Sequence, residues 1–298
     1  MSLATKAVLA ELHISAWYNR VSDLQAKAEI AEKHGIDNRD DQYIKRPLPK
    51  SAMKPIESLI LKIRNYHNSM TYPWGAGGMR MLLSKNIFKY TQHMQDLKGA
   101  LEVEVNALAE KLPDWKEVAR AARKDTFREE DYPTPEVFRE SFVVSTGFFE
   151  LPTGDVRVVS GLEDAENVRA EISRHYENSL HAFGRELQER LIEMLNRLAI
   201  SMTGKIFRKE AYHNLNEFLS EVELVGMSQH PLLKKGVLDA RMLIDSNDIL
   251  LLTNDPSARI MLSDTTKRVI NELKSTKKGE TGSTPHVQSL SVAVDSPV

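Results

Sequence analysis

The stretch LEDAENVRAEISRHYENSLHAFGRELQERLIEMLNRLAISM, residues 162–202, decides the fold class. Within it Ala165, Val168, Ile172, Tyr176, Leu180, Phe183, Leu187, Leu191, Met194 and Leu198 recur at steps of three and four residues. The mean step is about 3.67, closer to an eleven-residue repeat than to a heptad. This spacing predicts one nearly straight helix of more than five turns over 163–200. Its apolar stripe needs a cover, either from other helices of the chain or from a second copy.

On the C-terminal side, shorter periodic runs predict helices at about 205–223, 231–245 and 256–274. From Ser275 onward the makeup Lys-Gly-Glu-Thr-Gly-Ser-Thr-Pro predicts a disordered tail, 275–298. On the N-terminal side the pattern changes over 141–160. Phe142-Val143-Val144, Phe148-Phe149 and Val156-Arg157-Val158-Val159 are β-prone, and Pro152-Thr153-Gly154-Asp155 is a turn. A small hairpin, or a sheet of two or three strands, is expected there, packed on helices.

Earlier still, Leu3, Val8, Leu12, Trp17, Val21, Leu24 and Ala28 step by three to five up to Gly35, which predicts helix with a glycine stop. Pro47, Pro49 and Pro55 forbid an unbroken helix, so a second should start near Pro55, with Ile56, Leu59, Ile60, Ile63 and His67 on one face. Ser84 suits the N-cap of a third helix carrying Phe88, Leu97, Leu101, Val105 and Leu108. Pro113 should open a short continuation with Trp115, Val118 and Ala122. Thr134-Pro135-Glu136 is another helix start. The expected fold is mainly α: an antiparallel helical body with one long central helix and a small β-hairpin insertion, forming a single domain over 1–274.

Composition narrows the function classes. The 298 residues are 41% hydrophobic and 28% charged, ordinary for a globular protein. Cysteine is absent, which excludes a disulfide scaffold, a cysteine zinc site and a cysteine nucleophile. No run approaches the ~18 apolar residues of a membrane span, and Glu11 and His13 interrupt any N-terminal signal-like region. A cytoplasmic protein is expected, in the host cytoplasm if the chain is viral.

The near-neutral total, −2, hides a local surplus. Between Gln42 and Lys98 stand ten basic residues, including Lys45, Arg46, Lys50, Lys54, Lys62, Arg64, Arg80, Lys85 and Lys89, against only Glu57 and Asp96. Tyr43, Tyr66, Tyr72, Trp74, Phe88 and Tyr90 are interleaved with them. Cations that follow a phosphate backbone, with rings on which unpaired bases stack, are what single-strand binding requires. The same aromatics also read as core, with the lysines a solvated rim. Both readings stand at this point. A single-strand site would use Lys45, Arg46, Lys50, Lys62, Arg64, Tyr72, Trp74, Arg80, Lys85 and Lys89.

Catalytic signals are sparse. The turn Trp74-Gly75-Ala76-Gly77-Gly78-Met79-Arg80 could offer N–H groups and a guanidinium to a phosphate, yet it lacks the Lys-Ser/Thr of a P-loop. It reads as a structural loop that lets Trp74 pack. Glu171/His175 and Glu177/His181 are i,i+4 pairs, but His175 and His181 are six residues apart, on different helix faces. They read as solvated helix pairs, and no metal or cofactor is expected. Nothing in these motifs points to an enzyme.

The segments Leu3-Ala-Thr-Lys-Ala-Val-Leu-Ala-Glu-Leu-His-Ile-Ser-Ala-Trp17, Lys50-Ser-Ala-Met-Lys-Pro-Ile56, Tyr66-His67, Thr71-Tyr-Pro-Trp-Gly75 and Asp131-Tyr-Pro-Thr-Pro-Glu136 stand in that order. Over residues 3–200 the chain resembles an uncharacterised helical family carried by phages and plasmids, whose genes lie near MoxR/CobS-type AAA ATPases. The resemblance implies a mobile-element origin and a non-enzymatic accessory role, and offers no catalytic residues. The function expected is binding of single-stranded DNA through 42–98. The alternative is an adaptor that docks on an AAA ATPase or polymerase, or on copies of itself through the long helix.

Overall fold

The computed structural model describes residues 3–37, 40–75, 78–152, 165–204 and 207–280. The chain is mainly α with a small antiparallel sheet. It divides into two compact units, Met1–Ala165 and Glu166–Val298, where sequence pattern predicts one domain. The physical reason is that each part closes its own core. The first does so around a sheet, the second, among the described residues, with helices alone.

Unit 1 begins with β1 (Ala7–Ser15), β2 (Val21–Ser22), α1 (Leu24–His34), β3 (Ile44–Lys45) and α2 (Lys50–Met70). It continues with β4 (Thr71–Pro73), β5 (Arg80–Leu83), α3 (Ile87–Arg123), α4 (Pro135–Glu140) and β6 (Val143–Glu150). The main sheet has the order β4-β5-β1-β6, all antiparallel, and β2 pairs with β3.

Residues 7–15, whose spacing predicts helix, thus form a central strand. Val8, Ala10, Leu12 and Ile14 alternate, and this period of two competes with the three-to-five steps of the wider window. The β-prone segment after Phe142 decides the competition, since Val8 to Ser15 pair residue by residue with Glu150 to Val143. The first arm of the expected hairpin thus forms a long-range pair with β1. The hairpin's supposed second strand, Val156–Val159, lies outside the described residues.

Val8, Ala10, Leu12, Leu82 and Val144 share one face of the sheet and pack against Ile56, Ile60 and Ile63 of α2 and Met94, Leu101, Val105 and Leu108 of α3. α2 starts at Lys50, five residues before Pro55, which sits exposed within it. α3 runs unbroken through Pro113. Trp115 and Ala119 extend the stripe packed on the same core, and this tertiary contact outweighs the proline's missing N–H. α1 ends at Gly35 (φ 63°) as the glycine stop predicts.

Unit 2 contains α5 (Ala165–Thr203), α6 (Lys209–Leu224), α7 (Lys234–Asp245), α8 (Ile249–Asn254) and α9 (Pro256–Glu280). α5 realises the long periodic stretch. Its stripe is buried from Phe183 through Leu187, Leu191 and Leu198, whereas Val168 and Ile172 are exposed. Gln188 Nε2 donates to the carbonyl of Leu273, and Ser263 Oγ to that of Ala199, so α9 runs antiparallel along α5. α9 continues to Glu280, past the expected boundary at Ser275. The rest of the expected tail lies outside the described residues.

Candidate functional site

α2 and α3 are antiparallel neighbours, and their opposite ends carry the two groups of residues that matter. At one end Tyr66 packs on α3. Its hydroxyl donates to the carbonyl of Lys89, and its ring meets His93 edge-on at 4.3 Å. At the other end Arg123 donates to the carbonyl of Arg46.

The sequence-predicted residues separate into three groups. Tyr72 and Trp74 are buried (4% and 5% exposed), so neither presents a ring face to a base. Tyr72 stands opposite Met81 in the sheet register, and the Trp74 N–H closes the hairpin on the carbonyl of Met79. These two are core residues, and the stacking role falls away from them. The described part of the glycine-rich turn serves this packing, and Ala76 and Gly77 lie outside the described residues.

Lys45 and Arg80 are committed inside the fold. Lys45 Nζ lies 2.6 Å from Asp131 Oδ2, with both side chains largely buried. Arg80 Nε donates to Thr71 Oγ1 at 2.7 Å, and Thr71 Oγ1 donates to the carbonyl of His67 at 2.5 Å. His67 Nδ1 is 2.8 Å from the Tyr90 hydroxyl. Burial, with the Arg80 charge added to it, pushes His67 down to about 4, and burial pushes Tyr90 up to about 12. This chain of polar groups locks the end of α2 to the β4–β5 hairpin and to α3. Neither cation is placed to track a phosphate backbone.

Arg46, Lys50, Lys62, Arg64, Lys85 and Lys89 remain exposed, as does Lys54. Among the described residues, Lys50, Lys54, Lys62, Arg64 and Lys89 belong to no ion pair. Phe88 is 78% exposed and lies within one turn of Lys85. A large ring held in water beside cations is the aromatic partner that the buried Trp74 cannot be.

Four contacts hold the segment just before α2. Besides Lys45–Asp131 and Arg123–Arg46, the Tyr132 hydroxyl donates to the carbonyl of Pro47 at 3.2 Å. Asn19, at φ 52°, then takes both backbone groups of Leu48: its Nδ2 donates to the carbonyl at 2.9 Å and its Oδ1 accepts from the N–H at 2.8 Å. Between this segment and α3 lies a cleft of about 420 Å³. Arg46, Lys50, Trp115, Val118, Ala119 and Arg123 line it, and among the described residues no acidic side chain does.

Trp115 and Arg123 escape sequence reasoning because Trp115, Val118 and Ala122 have core-like spacing, and only the fold shows that they wall a cleft. Ser51 and Lys54 stand at Ser-x-x-Lys spacing, but both side chains are exposed and no hydrogen bond joins them among the described residues.

Unit 2 has its own cleft, about 510 Å³ between α7 and α9, with charges of both signs. Lys235 and Glu272 pair across it at 2.5 Å. His175 is exposed, and His181 lies 5.7 Å from the His230 ring. No cluster of three metal-ligating side chains occurs among the described residues, and no helix there is long and apolar enough to cross a membrane.

In comparisons with known proteins, the chain matches no family model, no curated protein and no solved structure.

Proposed function

We propose that this chain is a non-enzymatic accessory protein that binds single-stranded DNA through the exposed cations of α2 and of the start of α3. The observation that carries the reading is the set of exposed cations Lys50, Lys54, Lys62, Arg64 and Lys89, unpaired among the described residues and opposed on α2 by Glu57 alone. Paired surface charges neutralise one another, whereas unpaired ones attract a polyanion and release its counterions. Phe88 supplies a ring for a base, in place of Tyr72 and Trp74. The mobile-element origin implied by the sequence resemblance belongs to the same reading.

The test is fluorescence anisotropy with a labelled oligo(dT) on the wild-type chain and on a Lys62→Ala/Arg64→Ala/Lys89→Ala variant. The variant should bind more weakly and with a shallower salt dependence. Absence of binding by the wild type at low salt would overturn the reading.

A second reading rests on Val168 and Ile172, where the α5 stripe comes into solvent. An uncovered extension of a core stripe suits a docking surface for an AAA ATPase, a polymerase or a second copy. Size-exclusion chromatography with light scattering tests the self-association branch.

A further inference from the structure

We propose that the cleft between Arg46–Lys50 and α3 is a nucleotide subsite, in which Trp115 stacks on a base while Arg46, Lys50 and Arg123 hold its phosphate. The proposal rests on the strand-binding reading for the identity of its ligand and gives that reading a second contact point, adjoining the first at Lys50. Three features of the cleft point to a nucleotide rather than to a purely apolar guest.

The first is charge. Three cations line about 420 Å³ with no acidic side chain facing them among the described residues. The Arg46 side chain and Lys50 are exposed and belong to no ion pair there. Arg123 spends one N–H on the Arg46 carbonyl and keeps further donors of its fork. A phosphate group, dianionic as a free monoester and monoanionic within a strand, complements this set.

The second is the ring. Trp115 is half-buried, packed on the core on one side and lining the cleft on the other, and Val118 beside it is 59% exposed. An indole fixed in this way loses little freedom when a flat aromatic ligand stacks on it.

The third is preorganisation. The opposing wall is held at four consecutive residues, Lys45 by Asp131, Arg46 by Arg123, Pro47 by Tyr132 and Leu48 by Asn19. A wall pinned in this manner keeps its shape before a ligand arrives. The volume falls within the range of small-ligand clefts, roughly 300–1,000 Å³. The ligand is thus a base joined to a phosphate, either free or as one unit of a strand.

Isothermal titration of the full chain with deoxythymidine 5′-monophosphate, thymidine and inorganic phosphate tests this, alongside oligo(dT) anisotropy. The monophosphate should bind more tightly than either of its parts. Trp115→Leu, and separately Arg46→Ala with Lys50→Ala, should each weaken it at least about 5-fold. For Trp115→Leu, oligo(dT) affinity should fall about 5- to 150-fold with the salt slope unchanged.

Should Trp115→Leu lose its circular-dichroism melt, the Arg46/Lys50 variant decides, because both of its side chains are exposed. Monophosphate binding no tighter than phosphate alone, or unaffected in the deciding variant, overturns the proposal. If oligo(dT) binds while the monophosphate binds no tighter than phosphate alone, strand binding stands and the subsite is wrong. If the monophosphate binds and needs Trp115 while no oligo(dT) binds, the subsite stands as a free-nucleotide site and the strand reading fails.

Discussion

Lys45 Nζ and Asp131 Oδ2 meet at 2.6 Å across 86 residues of chain, with their side chains only 9% and 7% exposed. The pair ties β3 to the turn before α4 and fixes the start of the segment that walls the cleft. Replacing one partner strands a charge away from water, so Asp131→Ala should cost about 3–5 kcal/mol in urea unfolding. Lys45→Met with Asp131→Leu should cost much less than that single change, because no unpaired charge remains. Equal losses in the single and double variants would contradict this account of the pair.

His67 makes stability depend on pH in a window that can be named. Its folded value, about 4, lies below the ordinary histidine value of 6.5, chiefly through burial and then through Arg80. The unfolded chain therefore takes up a proton at this site before the folded one does. The contribution is fully present above about pH 6.5 and is lost as pH falls towards 4. The loss should be roughly 2–3 kcal/mol, and His67→Gln should flatten the slope of unfolding free energy against pH in that window alone. A variant with the wild-type slope between pH 6.5 and 4 would show that His67 is not the titrating group.

Trp74 and Phe88 should exchange the roles that sequence suggests for them. Trp74→Ala removes a 5%-exposed core ring and should cost about 3–5 kcal/mol of stability, seen as a lower melting temperature. Phe88→Ala should leave the melting temperature near that of the wild type while weakening oligo(dT) binding by about 1–3 kcal/mol. The opposite pattern would place the stacking ring back in the glycine-rich turn.

Along α5 the boundary between core and surface lies between Ile172 and Phe183. Leu187→Glu places an unpaired charge among buried residues and should unfold unit 2, as followed by circular dichroism. Ile172→Glu should leave the fold intact, since Ile172 is already 38% exposed. If the wild type self-associates and Ile172→Glu is monomeric by light scattering, the exposed stripe is an interface. Unfolding by Ile172→Glu would show instead that this turn is core.

Legibility followed the length and locality of each signal. The helix at 165–203 and those at 209–224, 234–245 and 256–280 were readable because an amphipathic stripe over several turns admits one period. Residues 7–15 were not, since a nine-residue strand beside helical segments fits steps of two or four, and its partner lies some 130 residues away at 143–150. Pairing at that range leaves no local trace. The basic surplus of 42–98 was legible as a count, but burial was not. Lys45 and Arg80 find partners at Asp131 and Thr71, and Tyr72 and Trp74 point into a core, none of which spacing reveals. The cleft at Trp115 arises only when residues 46–50 are brought beside α3.

The most direct test of the central claim is the affinity of the full chain for a labelled oligo(dT) measured across a salt series. With about five phosphate contacts from Lys50, Lys54, Lys62, Arg64 and Lys89, log affinity should fall against log salt with a slope of roughly −3.5 on a single strand. The Lys62→Ala/Arg64→Ala/Lys89→Ala variant should flatten that slope to roughly −1.4. No binding at low salt, or a slope that the triple variant leaves unchanged, would contradict the claim.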